Sequence, residues 1–369
     1  MKGNNEKPYG YTHLHPRGIT LIVLIIIVIV MLILAGVTIF TIFTITGNNG
    51  LIGKVKSSDG GKAVINADFT STVNENGTSQ QGDLGNTANT LMAGTTDNFV
   101  FGNTSLTRDK VAKINFSNTN IPPANATAVW DVGEVKDGAV MAWYIPDTVD
   151  STLYDLTIGG VGGVNGNDNS SDLVYNYINL TSIDFTNFST SKVTNMSGMF
   201  LGASSLTSLN LSNFDTLNVT NMMYMFREAS GLISLNLSNF YTSNVTSMLG
   251  MFEGASSLTK LDLSNFKTLN VTDMGNMFEG ASSLISLDLS NFKTSNMINM
   301  LRMFAGTSSL TSLDLSGVTI SNVTSMDSIF YGTNPTITVY VKDVVTQSWI
   351  DANKILTQFP STGSILIAP

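Results

Sequence analysis

The sequence predicts a repeat solenoid in which each 26-residue turn carries one short strand and one short helix, set behind a transmembrane helix, a flexible spacer and a small β-rich capping region. Two observations carry the solenoid. Phe200, Phe226, Phe252, Phe278, Phe304 and Phe330 recur at an interval of 26, and Leu209, Leu235, Leu261, Leu287 and Leu313 keep the same interval, continued by Ile183 and Val339. Self-similarity at 20 to 50 residues marks stacked repeats, and 26 is too short for a four-stranded propeller blade. A third observation carries the membrane helix: no charged residue lies between Arg17 and Lys54.

Residues 1–18 form a short polar leader, and residues 19–46 are apolar enough to cross a bilayer, for which ~20 residues suffice. Residues 47–95 are rich in Gly, Asn, Ser and Thr, a composition that buries little apolar area and reads as a spacer. In residues 96–179, runs such as "AVMAWYIP" (139–146) and "LYDLTIGG" (153–160) end in Pro or Gly, which predicts strands and turns in a β-rich N-terminal cap. Trp130 and Trp143 fit either a β core or a ligand surface.

Six units fill residues 180–335, and residues 336–369 form a C-terminal cap and tail. Within a unit, alternating leucines such as Leu287 and Leu289 around Asp288 predict an inward-facing strand. Val193, Met196, Met199 and Phe200 then fall at helical spacing. The phenylalanine and methionine columns predict one continuous core, and the column Asn218, Asn244, Asn270, Asn296 and Asn322 is placed to bond the backbone of a neighbouring turn.

Composition narrows the chemistry. A net charge of -9 with no basic patch argues against nucleic acid, and zero cysteines exclude disulfides and thiolate metal sites. Both histidines, His13 and His15, precede the apolar run, so the remainder lacks the parts of Ser-His-Asp and Cys-His nucleophile systems. No catalytic residue, metal ligand or cofactor is predicted.

The outward strand positions carry Asp184, Asn210, Asn236, Asp262, Asp288 and Asp314, with Lys260 beside Asp262. Asn236, Lys260, Asp262, Asp288 and Asp314 are the candidate ligand face. Like charges stacked at ~4.8 Å are costly unless a cation or basic ligand compensates; solvated carboxylates are the alternative. Partner specificity is also open to the less regular positions Tyr224, Arg227, Glu228, Tyr241, Lys267, Lys293 and Arg302.

Two resemblances extend this reading. The junction "RGITLIVL" resembles the leader of type IV prepilins and pseudopilins, which implies cleavage by a prepilin peptidase between Gly18 and Ile19. It departs from that family at Val23, where a pilin carries Glu. Units such as "LISLDLSNFKTSN" (284–296) resemble those of BspA-like leucine-rich-repeat surface proteins over residues 179 to about 350, and "TVYVKDVVTQSWI" (338–350) resembles that family's last strand and capping helix. The resemblance implies a single-pass bacterial membrane protein with its repeats outside the cell. It also implies non-catalytic adhesion to a host extracellular-matrix protein or another cell-surface protein or glycan. The alternative is a minor pilin or pseudopilin-like structural subunit.

Overall fold

The computed structural model describes residues 39–45, 51–57 and 89–369. The chain divides into two units, 1–85 and 86–369. In the first, β1 (Ile39–Ile45) pairs antiparallel with β2 (Leu51–Ser57). This corrects the predicted membrane helix over 19–46, because its last residues lie in an extended strand. Among the described residues no helix is long and apolar enough to cross a membrane, so none of them carries the predicted single-pass membrane placement. β2 falls in the stretch predicted as spacer. The leader, Gly18 and Ile19 lie outside the described residues.

The second unit opens with β3 (Phe99–Val100) and β4 (Asn103–Thr107), an irregular antiparallel pair. Next come β5 (Val111–Ser117), β6 (Ala128–Asp131), β7 (Val140–Pro146), β8 (Tyr154–Gly160) and β9 (Val164–Asn165). A five-stranded sheet runs β10-β5-β8-β7-β6, where β10 (Ser182–Asp184) is the strand of the first repeat. Thus the sheet continues into the array, with Ile183 in parallel register beside Ile114. Phe116 seals the join by stacking on Phe185 at 5.5 Å and lying 4.4 Å from Phe188.

Trp143 is buried in this sheet. The glycine diagonal to it on β8 is obligatory: a Cβ on Gly159 would lie 1.9 Å from the Thr119 carbonyl oxygen and 2.8 Å from the Trp143 ring.

Repeat strands then follow as β11 (Phe188–Ser189), β12 (Ser234–Leu235), β13 (Lys260–Leu261), β14 (Ser286–Asp288), β15 (Ser312–Leu315) and β16 (Thr338–Val341). Apart from β11, which pairs with β9, they align in parallel at the repeat interval, as in Leu235 beside Leu261 and Leu287 beside Leu313. Two α-helices, α1 (Val344–Ala352) and α2 (Lys354–Thr357), precede the edge strand β17 (Ser364–Ile367). Asp343 caps α1 by accepting the Thr346 N–H at 2.9 Å. Phe359 closes the core edge-on against Phe330 at 5.2 Å.

The predicted architecture of one strand and one helix per turn is therefore corrected. Among the described residues α1 and α2 are the only α-helices, both at the C-terminal end, and the fold is a set of small sheets joined by turns. Backbone conformation explains why Val193, Met196, Met199 and Phe200 do not sit on a helix. Each coil places two residues in the left-handed region four apart, such as Tyr224 (φ 55°) with Glu228 (φ 56°) and Gly250 (φ 57°) with Gly254 (φ 70°). A right-handed helix cannot run through such positions.

The segment is instead a succession of tight turns, in which Met199 N–H reaches Met196 O and Ala203 N–H reaches Phe200 O. The N–H groups between those turns pair with the next coil. Met196, Gly198, Phe200 and Gly202 donate to the carbonyls of Asn221, Met223, Met225 and Arg227 at 2.8–3.0 Å. Val193, Met196, Met199 and Phe200 are therefore still buried, but their backbone is satisfied partly by tight turns and partly by the neighbouring coil.

The phenylalanines at the interval of 26 stack on one another, with centroids 5.5–6.0 Å apart and planes within 14° from Phe200 to Phe330. The methionines beside it, including Met222, Met225, Met248 and Met251, are fully buried. The coil pattern also starts upstream of Leu180. Asn169 bridges Asn195, opening a ladder through Asn221, Ser247, Asp273 and Asn299 to Ser325, and Asp172 and Asn176 already hold the two left-handed positions.

Candidate functional site

Strand β12, strand β13 and the start of β14 expose a common face. Their inward leucines, Leu235, Leu261 and Leu287, leave Ser234, Asn236, Lys260, Asp262, Ser286 and Asp288 on the other side. These six, with Ser238 and Ser264, line an open groove of about 500 Å³ crossing three coils. Four of the five predicted ligand-face residues thus meet in one groove: Asn236, Lys260, Asp262 and Asp288. Asp314 stands one coil further on, in register with Asp288, and is only partly exposed.

The acidic column has a local task that explains how it tolerates stacking. Asp262, Asp288 and Asp314 accept the N–H of Ser264, Ser290 and Ser316 at 2.9, 2.9 and 2.8 Å. Asn210 and Asn236 make the same bond to Ser212 and Ser238. Each carboxylate therefore closes the turn that ends its own strand. The Ser264 N–H and then its hydroxyl hold the Asp262 carboxyl below the usual carboxylate range. Among the described residues no group of three or more acidic or histidine side chains is arranged to hold a metal ion.

Two polar columns that the sequence reading left without a role tie the coils beneath this face. Buried Thr190, Thr216, Thr242, Thr268 and Thr294 each donate their hydroxyl to a carbonyl of the next coil at 2.9–3.2 Å. The same hydroxyls accept an N–H from that coil, as Thr242 does from Lys267 at 2.7 Å. Asn213, Asn239, Asn265 and Asn291 turn back instead, Asn265 reaching Leu237 O and Phe240 O at 3.0 and 2.9 Å. The signal for both was visible as strict recurrence at an interval of 26. The predicted Asn218 column also points back, with Asn244 donating to Leu217 O at 2.7 Å.

Of the irregular positions, Tyr224, Arg227, Glu228 and Arg302 take part in a separate set of charge and ring contacts. The N–H groups of Tyr241, Lys267 and Lys293 instead donate to the buried threonines, and neither lysine forms an ion pair among the described residues. Arg227 pairs with Glu253 at 3.2 Å and lies 5.1 Å from the Tyr224 ring. Arg302 donates its Nε to Glu279 at 2.8 Å and lies over Tyr331. Burial pushes the Glu253 carboxyl up, against the pull of Arg227. These charges are engaged with one another, whereas none of Lys260, Asp262, Asp288 and Asp314 forms an ion pair among the described residues.

The stacked coils match the family described as "Mycoplasma protein of unknown function, DUF285", over residues 169–261 and 258–361. Together the two stretches span just over half of the chain. The chain belongs to this family. The first DUF285 stretch begins at Asn169, the residue that opens the bridge ladder, so the family boundary and the structural start of the coils coincide. No curated protein and no solved structure matches the chain.

Proposed function

We propose that this chain is a non-catalytic binding protein whose strand face takes a matrix or cell-surface protein or glycan. The observation that carries the reading is the contrast in how polar groups are used. Threonine and asparagine columns are consumed in coil-to-coil bonds, while the groove across β12, β13 and β14 presents charged side chains without ion partners. An array whose neighbours repeat at a fixed interval offers an extended surface rather than an enclosed pocket, which suits a macromolecule.

Binding of the full chain to a panel of matrix proteins, glycans and cell surfaces tests this. The triple variant Lys260→Ser, Asp262→Asn, Asp288→Asn introduces only residues found at the same positions of other coils, so the fold is retained. It is expected to weaken a saturable interaction by about tenfold or more, ~1.4 kcal/mol. Unchanged affinity would move the binding surface elsewhere.

A further inference from the structure

We propose that Lys113 and Asp147 condense into an intramolecular amide bond across the N-terminal sheet, with Asp155 relaying protons and one water released. The inference concerns the sheet and stands apart from the strand face of the array.

Three adjacent strands bring the groups together. β8 lies between β5 and β7, Lys113 on β5 has Asp155 on β8 as its register partner, and Asp147 follows the last residue of β7. Lys113 Nζ contacts Asp147 Oδ2 and lies 3.3 Å from both carboxylate oxygens of Asp155. The Asp147 side chain is only 3% exposed. An ion pair needs no more than this, but two further features supply the parts of a reaction.

The first is the environment of the other Asp147 oxygen. Oδ1 accepts the N–H groups of Val149 and Asp150 at 2.7 and 2.8 Å, in a turn fixed by the Asp147 N–H bond to Leu153 O. Two backbone donors on one oxygen stabilise the negative charge that develops there when a nucleophile adds to the carboxyl carbon. The second is Asp155. Burial, and then its hydrogen bond to Asp147, push its carboxyl up, so an acid able to hold a proton stands beside the reacting atoms.

The steps balance within the chain. A proton passes from Nζ to Oδ2, leaving a neutral amine whose lone pair forms the bond to Cγ while charge collects on Oδ1. Asp155 takes a second proton from the nitrogen and delivers it to Oδ2, the Cγ–Oδ2 bond breaks, and water leaves. The nitrogen keeps one of its three protons. Groups held in contact react at effective concentrations on the order of 10⁵ M or more, which drives a step that is slow between free molecules. Because the sheet must assemble the three groups first, the freshly folded chain carries the ion pair and the matured chain carries the amide.

Intact-mass spectrometry of the full chain, followed over time after refolding, tests this. Wild type is expected to lose the mass of one water. Trypsin should then fail to cut after Lys113, leaving residues 111–136 joined to residues 137–192 in one branched fragment. Lys113→Arg and Asp147→Ala should keep their full mass. Asp155→Asn, which retains the Lys113 and Asp147 pair, should condense at least about a hundredfold more slowly.

A wild-type mass that never changes overturns the proposal and leaves an ion pair only, a result that depends on no variant. Water loss that persists in Lys113→Arg, or that maps to other residues, overturns it as well. Condensation of Asp155→Asn at the wild-type rate would remove Asp155 as the relay.

Discussion

The N-terminal sheet and the repeat array solve the same problem, satisfying polar groups in a packed interior, with opposite economies. In and beside the sheet single residues act alone. Buried Arg108 donates to the carbonyls of Thr95 and Tyr175, the latter at 2.7 Å, and lies over the rings of Tyr175 and Tyr177. Lys113 joins the carboxylates of Asp147 and Asp155. In the array every such role is held by a column, so Thr242 is one of five threonines doing the same thing. A repeat can distribute a function over many positions, whereas a non-repeating sheet concentrates it in one.

The comparison can be broken most forcefully inside the array. Phe252 stacks between Phe226 and Phe278 at 5.6 and 5.7 Å. Phe252→Ala is expected to cost about 3–5 kcal/mol in urea unfolding, since neighbouring coils are held apart by their own ladders and cannot close the cavity. A cost near zero would show that the coils collapse around it. Next in size, Arg108→Met keeps an apolar stem but leaves the Tyr175 and Thr95 carbonyls without their donor. About 3 kcal/mol is expected from the same measurement, because no column member takes over.

The smallest expected effect sharpens the comparison through pH. Lys113 first, then the N–H groups of Asp150 and Val149, hold the Asp147 carboxyl well below its ordinary range. A depressed carboxylate stabilises the fold above its unfolded value of about 4 and loses that contribution as pH falls below it. Burial pushes Asp155 the other way, so its charge does not add to the effect. Wild type should therefore lose more stability than Asp147→Asn between about pH 6 and pH 3. Parallel losses, followed by urea midpoint, would show that the ion cluster is energetically silent.

Sequence alone determined the interval of 26, the identity of the buried leucine, methionine and phenylalanine columns, and the residues that share the strand face. Those follow from side-chain character at fixed spacing, which decides what is buried whatever the backbone does between. It did not determine how the second half of each coil is built. Val193, Met196, Met199 and Phe200 have the spacing of a helix, yet left-handed residues four apart forbid one, and the N–H groups of Met196 and Phe200 are satisfied by the next coil, 25 residues away.

The same limit applies to the first coil. Ser170, Leu173 and Val174 bear little resemblance to the methionine and phenylalanine positions they occupy, and only their pairing across to residues 195–199 reveals them. Nor did an apolar run reveal that Ile39–Ile45 pairs as a strand with Leu51–Ser57. In each case composition and periodicity report which side chains leave water. Where the backbone hydrogen bonds go is a property of partners distant in the chain, and only the tertiary structure decides it.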